Sequence, residues 1–291
     1  MKRYLYLGLL CAASVFGSML YTKRHEGVSS DVSAMGERPL LIVVPSYKNA
    51  EWYERNLKSI FEQQYSNYHV VYIDDSSPDG TGDLVEAYIK EWGMEDKVTL
   101  IKNEKNLGAL QNIYNAIYAQ PDNADLVVCT IDGDDWLATP LAFQRINEAY
   151  KDPNVWMTYG QYRHYPDGRV GICRDQPKWV VDQQAYRRAE WVSSHMRTFY
   201  AWLFKRIKVE DLTFNGELFR VTWDMAFMFP MLEMANGRHK FIPEILYVYN
   251  CATPLNDYKT RLKEQLAANQ LIRSFTPYEP LNGPDRGFVV S

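Results

Sequence analysis

Three carboxylates crowd into four residues at Asp132-Gly133-Asp134-Asp135, directly after an apolar strand read over Asp125–Ile131. Like charges this close raise one another's pKa unless a cation or hydrogen-bond donors neutralise them. A divalent ion is the simplest neutraliser. An oxygen-only ligand set suits Mn²⁺ or Mg²⁺, with substrate phosphates completing the shell. The alternative is an acidic turn or helix start that favours the helix dipole. A calcium loop is excluded, because Leu137 stands where its sharp turn needs Gly and Phe143 where it needs the bidentate Glu. A second acidic cluster, Asp74-Asp75-Ser-Ser-Pro-Asp79-Gly80-Thr81, also follows an apolar run. A carboxylate there can accept hydrogen bonds from a nucleobase N–H or ribose hydroxyls, or can simply make a turn and cap a helix. Neither GxGxxG nor GxxxxGK[ST] occurs, so no glycine-rich backbone cradle is available for phosphates.

The elements that must carry these clusters alternate. Strands are expected at Leu40–Val44, His69–Ile73, Val98–Ile101 and Asp125–Ile131, with helices over Glu51–Gln63, Thr81–Trp92 and from Leu107 to Tyr118. This pattern predicts an α/β, doubly wound, mostly parallel sheet with helices on both faces. Right-handed crossovers place every strand's C-terminal end along one edge, where ligands bind at the switch in strand order. If the first and fourth strands are neighbours, Ser46-Tyr47, Asp74-Asp75 and Asp132–Asp135 share one crevice. After Trp136 the alternation fades. Helices are expected at Pro140–Tyr150, Arg197–Ile207, Asp224–Met234 and beyond Pro254 to Ser274, with strands at Val155–Gly160 and Phe241–Tyr249.

Four stretches in this order resemble the family 2 inverting glycosyltransferases, which have the GT-A fold. They are Leu41–Asn49 (LIVVPSYKN), Val70–Thr81 (VVYIDDSSPDGT), Asn106-Leu-Gly108 with Asn115-Ala116, and Thr130–Trp136 (TIDGDDW). The resemblance is close over residues 39 to about 150 and looser to 250. It implies a nucleotide-diphospho-sugar donor, with a UDP-sugar foremost. It also implies base contacts from Pro45, Ser46 and Asp75 beside Asp74, and ribose and metal contacts from the Asp132–Asp135 cluster. Asp134 is the first choice for the metal and Asp135 the close competitor, with Asp132 on the nucleotide. The family's catalytic base is an acid opening a helix in the acceptor half, and Thr222-Trp223-Asp224 fits that place, although the Glu usual before that Asp is missing. An inverting transfer needs such a carboxylate to deprotonate the acceptor hydroxyl opposite the departing diphosphate. His195, Arg197 and Trp223 are candidates for lining the acceptor or diphosphate side.

The chain has 291 residues, a net charge of −4, 46% hydrophobic and 23% charged residues. That balance excludes a disordered chain and removes the electrostatic case for a nucleic-acid partner. Its 4 cysteines show no CxxC spacing, so no disulfide framework or zinc site is expected. Met1-Lys-Arg precedes an uncharged, mostly apolar run from Tyr4 to Tyr21, followed by Lys23-Arg24. Residues 1–23 are read as a single-pass membrane anchor spanning 4–21, with a cleaved signal peptide as the alternative. The balanced basic flanks leave its orientation open. Residues 24–38 read as a stalk, 39–275 as the catalytic domain and 276–291 as a tail. Within the domain, 39–136 would bind the nucleotide-sugar and 137–250 the acceptor, whether glycan, lipid or protein. The function expected is metal-dependent sugar transfer; the alternative is an inactive sugar-nucleotide-binding scaffold of the same fold. A nucleotidyltransferase would need a glycine-rich basic loop where this chain has Pro45-Ser-Tyr-Lys-Asn-Ala-Glu51.

Overall fold

The computed structural model describes residues 36–253 and 261–283. The expected anchor at 4–21, most of the stalk and residues 284–291 lie outside the described residues. Among the described residues, no helix is long and apolar enough to cross a membrane.

The first half alternates as expected: β1 (Leu40–Ser46), α1 (Tyr53–Phe61), β2 (Tyr68–Asp74), α2 (Thr81–Glu91), β3 (Val98–Lys102), α3 (Ala109–Tyr118) and β4 (Val127–Thr130). All seven residues of β1 and all four of β4 are buried, which is why both read as unbroken apolar runs. Then come β5 (Trp136–Leu137), α4 (Ala142–Ala149), β6 (Met157–Tyr165), α5 (Lys178–Asp182), β7 (Arg197–Tyr200) and α6 (Ala201–Phe204). A small hairpin, β8 (Thr213–Phe214) and β9 (Glu217–Leu218), precedes α7 (Trp223–Ala235), β10 (His239–Asn250) and α8 (Leu262–Ser274).

One mixed, mostly parallel sheet runs in the order β3-β2-β1-β4-β7-β6-β10-β5. The β1–β2, β2–β3, β1–β4 and β6–β10 pairs are parallel, whereas β7 runs antiparallel to β4 and β6, and β5 antiparallel to β10. Strands β1 and β4 are neighbours, so strand order reverses between them and the switch point falls where the acidic clusters end their strands.

Two sequence expectations are corrected in the second half. Arg197–Ile207 is not one helix: Arg197–Tyr200 is a strand seated between β4 and β6, and only Ala201–Phe204 coils. Its four buried residues, Arg-Thr-Phe-Tyr, show no alternation, and Phe199 falls at helical spacing from Trp202 and Leu203, so the run reads as a helix. The expected strand Val155–Gly160 extends to Tyr165, because β10 pairs with it along its length. That pairing shifts register around Pro243-Glu244, where proline has no N–H to give the ladder.

Helix α7 is apolar on every side, buried from Met225 to Ala235, as befits a helix inside a core. Near its C-terminal end the buried Glu233 accepts from Arg187 Nε at 2.6 Å and Nη2 at 2.9 Å, and from the Tyr278 N–H at 3.0 Å. Removing one partner of such a pair strands the other charge away from water. Glu233→Ala is therefore expected to cost about 3–5 kcal/mol in urea unfolding, whereas Arg187→Met with Glu233→Leu should recover part of it, the Tyr278 N–H and the Ile272 carbonyl still losing their partners.

His239 opens β10 with its Nδ1 buried and no hydrogen-bond partner among the described residues. Burial pushes its pKa down to about 4. The unfolded chain takes up this proton near pH 6.5, so it binds more protons than the folded one between those values. Stability from this group is present above about 6.5 and is lost as pH falls toward about 4. Across that window the wild type should lose roughly 1–3 kcal/mol that His239→Phe keeps, read as the difference between their pH–stability curves.

Candidate active site

The switch point is closed from the β1 side by Ser46. Its Oγ accepts from Tyr72 OH at 2.8 Å and Asn49 Nδ2 at 2.9 Å. The Gly133 N–H donates to Pro45 O at 3.1 Å, drawing the acidic loop hard against β1. A Cβ on Gly133 would lie 2.6 Å from Ser46 Oγ and 2.7 Å from Asn49 Nδ2, so only glycine fits between the acids. Gly133→Ala should push the loop off β1 at a cost of about 1–3 kcal/mol; an unchanged urea midpoint would show that the loop gives way freely.

At the end of β2, Asp75 is 3% exposed. Its Oδ1 accepts from Asn103 Nδ2 and the Leu107 N–H, and its Oδ2 from the Gly108 N–H, each at 2.8 Å. The carboxylate thus clamps the Asn103–Gly108 loop at the N-terminus of α3. Asp74 is also buried, which raises its carboxyl above the ordinary range against the hydrogen bonds from Ser77. Asp79 takes the turn and capping role: Thr81 Oγ1 donates to it at 2.6 Å, the Thr81 N–H at 3.2 Å, and the Ala50 N–H at 3.2 Å.

At the end of β4, Asp135 is wholly buried. Tyr247 OH donates to its Oδ2 and the Asn250 N–H to its Oδ1, both at 2.7 Å. Burial, then Asp134 and Asp132, push its pKa well above the usual carboxylate value, and these two donors oppose the rise. The same Tyr247 oxygen accepts the Asp132 N–H at 3.1 Å. Asn56 Nδ2, from α1, donates to the Asp135 carbonyl at 2.7 Å and the Asp132 carbonyl at 3.0 Å. Asn250 Nδ2 donates to the Asp134 carbonyl at 3.1 Å.

His195 stacks on Tyr247 and Tyr249, with ring centroids 4.7 Å and 5.1 Å away. Burial, with Arg197 and His164 adding, holds its pKa well below the ordinary value, so the imidazole is neutral. Ligand atoms of Asp132, Asp135 and His195 lie within 4.8 Å of one another. These three form a group that could hold a metal ion. Asp134 stands beside it, half-buried.

Arg197 is 1% exposed. Its Nη1 donates to Asp224 Oδ2 at 3.3 Å, and its Nη2 lies 3.8 Å from Asp132 Oδ2. Burial opposes its charge, but Asp224, Asp132, Tyr247 and Asp135 together raise its pKa above the ordinary value. Its guanidinium carbon sits 5.1 Å from the Trp223 ring centre. Asp224 lies in the first turn of α7, its side chain 23% exposed. The structure therefore brings His195, Arg197, Trp223 and Asp224 to the acidic switch point, with Asp75 and Ser46 committed to holding loops beside it. Sequence reading missed Tyr247, Asn250 and Asn56. An asparagine on the buried side of α1 was the visible signal for the last; Tyr247 and Asn250 lie too far along the chain to leave one.

A family model described as Glycosyl transferase family 2 matches residues 41–213. The chain belongs to this family. It is similar to an uncharacterized protein, MT1568, of Mycobacterium tuberculosis, 29% identical over 161 residues, which cover 55% of this chain and 44% of that protein. The match thus spans less than half the length of that relative. Among solved structures it is similar to S. aureus TarS 1-349 in complex with UDP-GlcNAc, at a TM-score of 0.53 and 15% identity over 82% of this chain and 68% of that one. It is also similar to the mannosyltransferase PcManGT from Pyrobaculum calidifontis in complex with GDP-Man and Mn2+. There the TM-score is 0.53 and the identity 18%, over 83% and 66% of the two chains. At these identities the likeness is one of fold.

Proposed function

We propose that this protein transfers a sugar from a nucleotide-diphospho-sugar, a UDP-sugar foremost, to an acceptor hydroxyl with inversion at the anomeric carbon. The observation that carries the reading is Asp224: a partly open carboxylate at a helix start, facing the acidic switch point across one buried arginine. The complexes of the similar folds with UDP-GlcNAc and GDP-Man support the donor class.

In this reading Asp224 accepts the proton of the acceptor hydroxyl as the oxygen attacks, from the face opposite the leaving diphosphate. Ser46 and the Asp75 clamp keep the nucleotide end of the crevice rigid, so the donor meets a preformed edge. A divalent cation fits the acid cluster, whose oxygens are joined by an imidazole with its Nδ1 buried and without a hydrogen-bond partner among the described residues. Asp132, Asp135 and His195 would hold it, with Asp134 as the further carboxylate. When bound, the ion neutralises charge gathering on the diphosphate. Attachment to a membrane through residues 4–21 belongs to the same proposal, and would bring the site to glycan, lipid or protein acceptors at its surface.

The experiment is donor binding and donor hydrolysis over UDP-, GDP- and dTDP-sugars with Mn²⁺, Mg²⁺ or EDTA. One donor should bind only with metal. Asp132→Ala should weaken Mn²⁺ binding, and Asp224→Asn should bind donor normally but turn over about 100-fold or more slowly. Failure of every donor to bind under every metal condition would leave a scaffold rather than an enzyme.

A further inference from the structure

We infer that Arg197 is a positioning residue that fixes the candidate base Asp224 against the donor-side acid Asp132, acting on turnover and not on donor binding. The inference rests on the transferase reading. Arg197 opens β7, where its backbone pairs directly with Thr130 of β4, two residues before Asp132. Its root is thus part of the same rigid sheet that ends in the acid cluster. Asp224, by contrast, stands on a helix entered through Thr222 in the left-handed region, φ 54°. The cation ties the helix-borne acid to the sheet.

The guanidinium has no face left for substrate. One terminal nitrogen points to Asp224 at 3.3 Å and the other to Asp132 at 3.8 Å. The plane lies near the Trp223 ring, Nε is buried without a hydrogen-bond partner among the described residues, and the residue is 1% exposed. A planar fork with two separated donors can span two acids; a lysine ammonium, a point charge on a flexible stem, cannot hold both in fixed geometry. Misplacing a reacting group by about 1 Å costs on the order of 100-fold in rate.

The test is steady-state hydrolysis of whichever UDP-sugar the wild type accepts, with Mn²⁺, together with calorimetric donor affinity and a thermal melt. Arg197→Lys should lower kcat about 10- to 100-fold while donor Kd changes less than about 2-fold. In an Asp224→Asn background the same substitution should cause no further loss, because its effect passes through that carboxylate. Losses that multiply in the double variant, or a donor Kd that rises in step with the fall in kcat, would overturn the inference.

Should Arg197→Lys fail to fold, nitrogen-15 spectra of the arginine side chains give a second reading. The terminal nitrogens of Arg197 should be resolved by restricted rotation in the wild type and merge in Asp224→Asn. Spectra unchanged by that substitution would again overturn the inference. A wild type that turns over but shows the wrong variant pattern sinks this inference alone. A wild type that binds and hydrolyses no donor sinks the transferase reading, and this one with it.

Discussion

A carboxylate shut away from water at Asp135 is tolerable only because Tyr247 and the Asn250 amide each give it a hydrogen bond. Those two donors come from β10, more than a hundred residues further along the chain. Their grip on Asp135 joins the parallel half of the sheet to the mixed half that brings Arg197 and Asp224. Tyr247 is a pivot with two duties, giving its proton to Asp135 and receiving the Asp132 N–H. The acidic loop is therefore shaped by the chain's own hydrogen bonds.

The mixed half supplies position as well as chemistry. Helix α7 carries Asp224 near its first residue and Glu233 near its last, and each is held by a buried arginine, Arg197 at one end and Arg187 at the other. Between them the helix is packed on all sides by apolar neighbours. Its N-terminal turn is the open part, facing the crevice, so a rigid rod presents a single accessible carboxylate.

Much of this was legible in the residues themselves. The unbroken apolar runs of β1 and β4, and the acidic clusters closing β2 and β4, announced the parallel sheet and its switch point. The sequence left the adjacency of β1 and β4 as the condition under which those clusters would gather, and the structure meets it. Residues whose partners are distant were not legible. Tyr247 and Asn250 sit in a strand whose pattern says only that it is half-buried, and nothing in their own neighbourhood names Asp135. Strand β7 was hidden for a different reason: with both faces covered, its residues carry no period of two. The local motif at Asp75 suggested contact with a nucleobase; its hold on the Asn103–Gly108 loop was not legible, because two of the three donors are backbone N–H groups that side-chain types do not reveal.

The pivot at Tyr247 bears on how such a domain can be inherited. The family match ends at residue 213, yet the hydrogen bonds that settle the acidic loop come from beyond it. Recombination that cut the chain after the matched segment would leave Asp135 buried without its two hydrogen-bond donors. The β10 strand has to travel with the acids it serves.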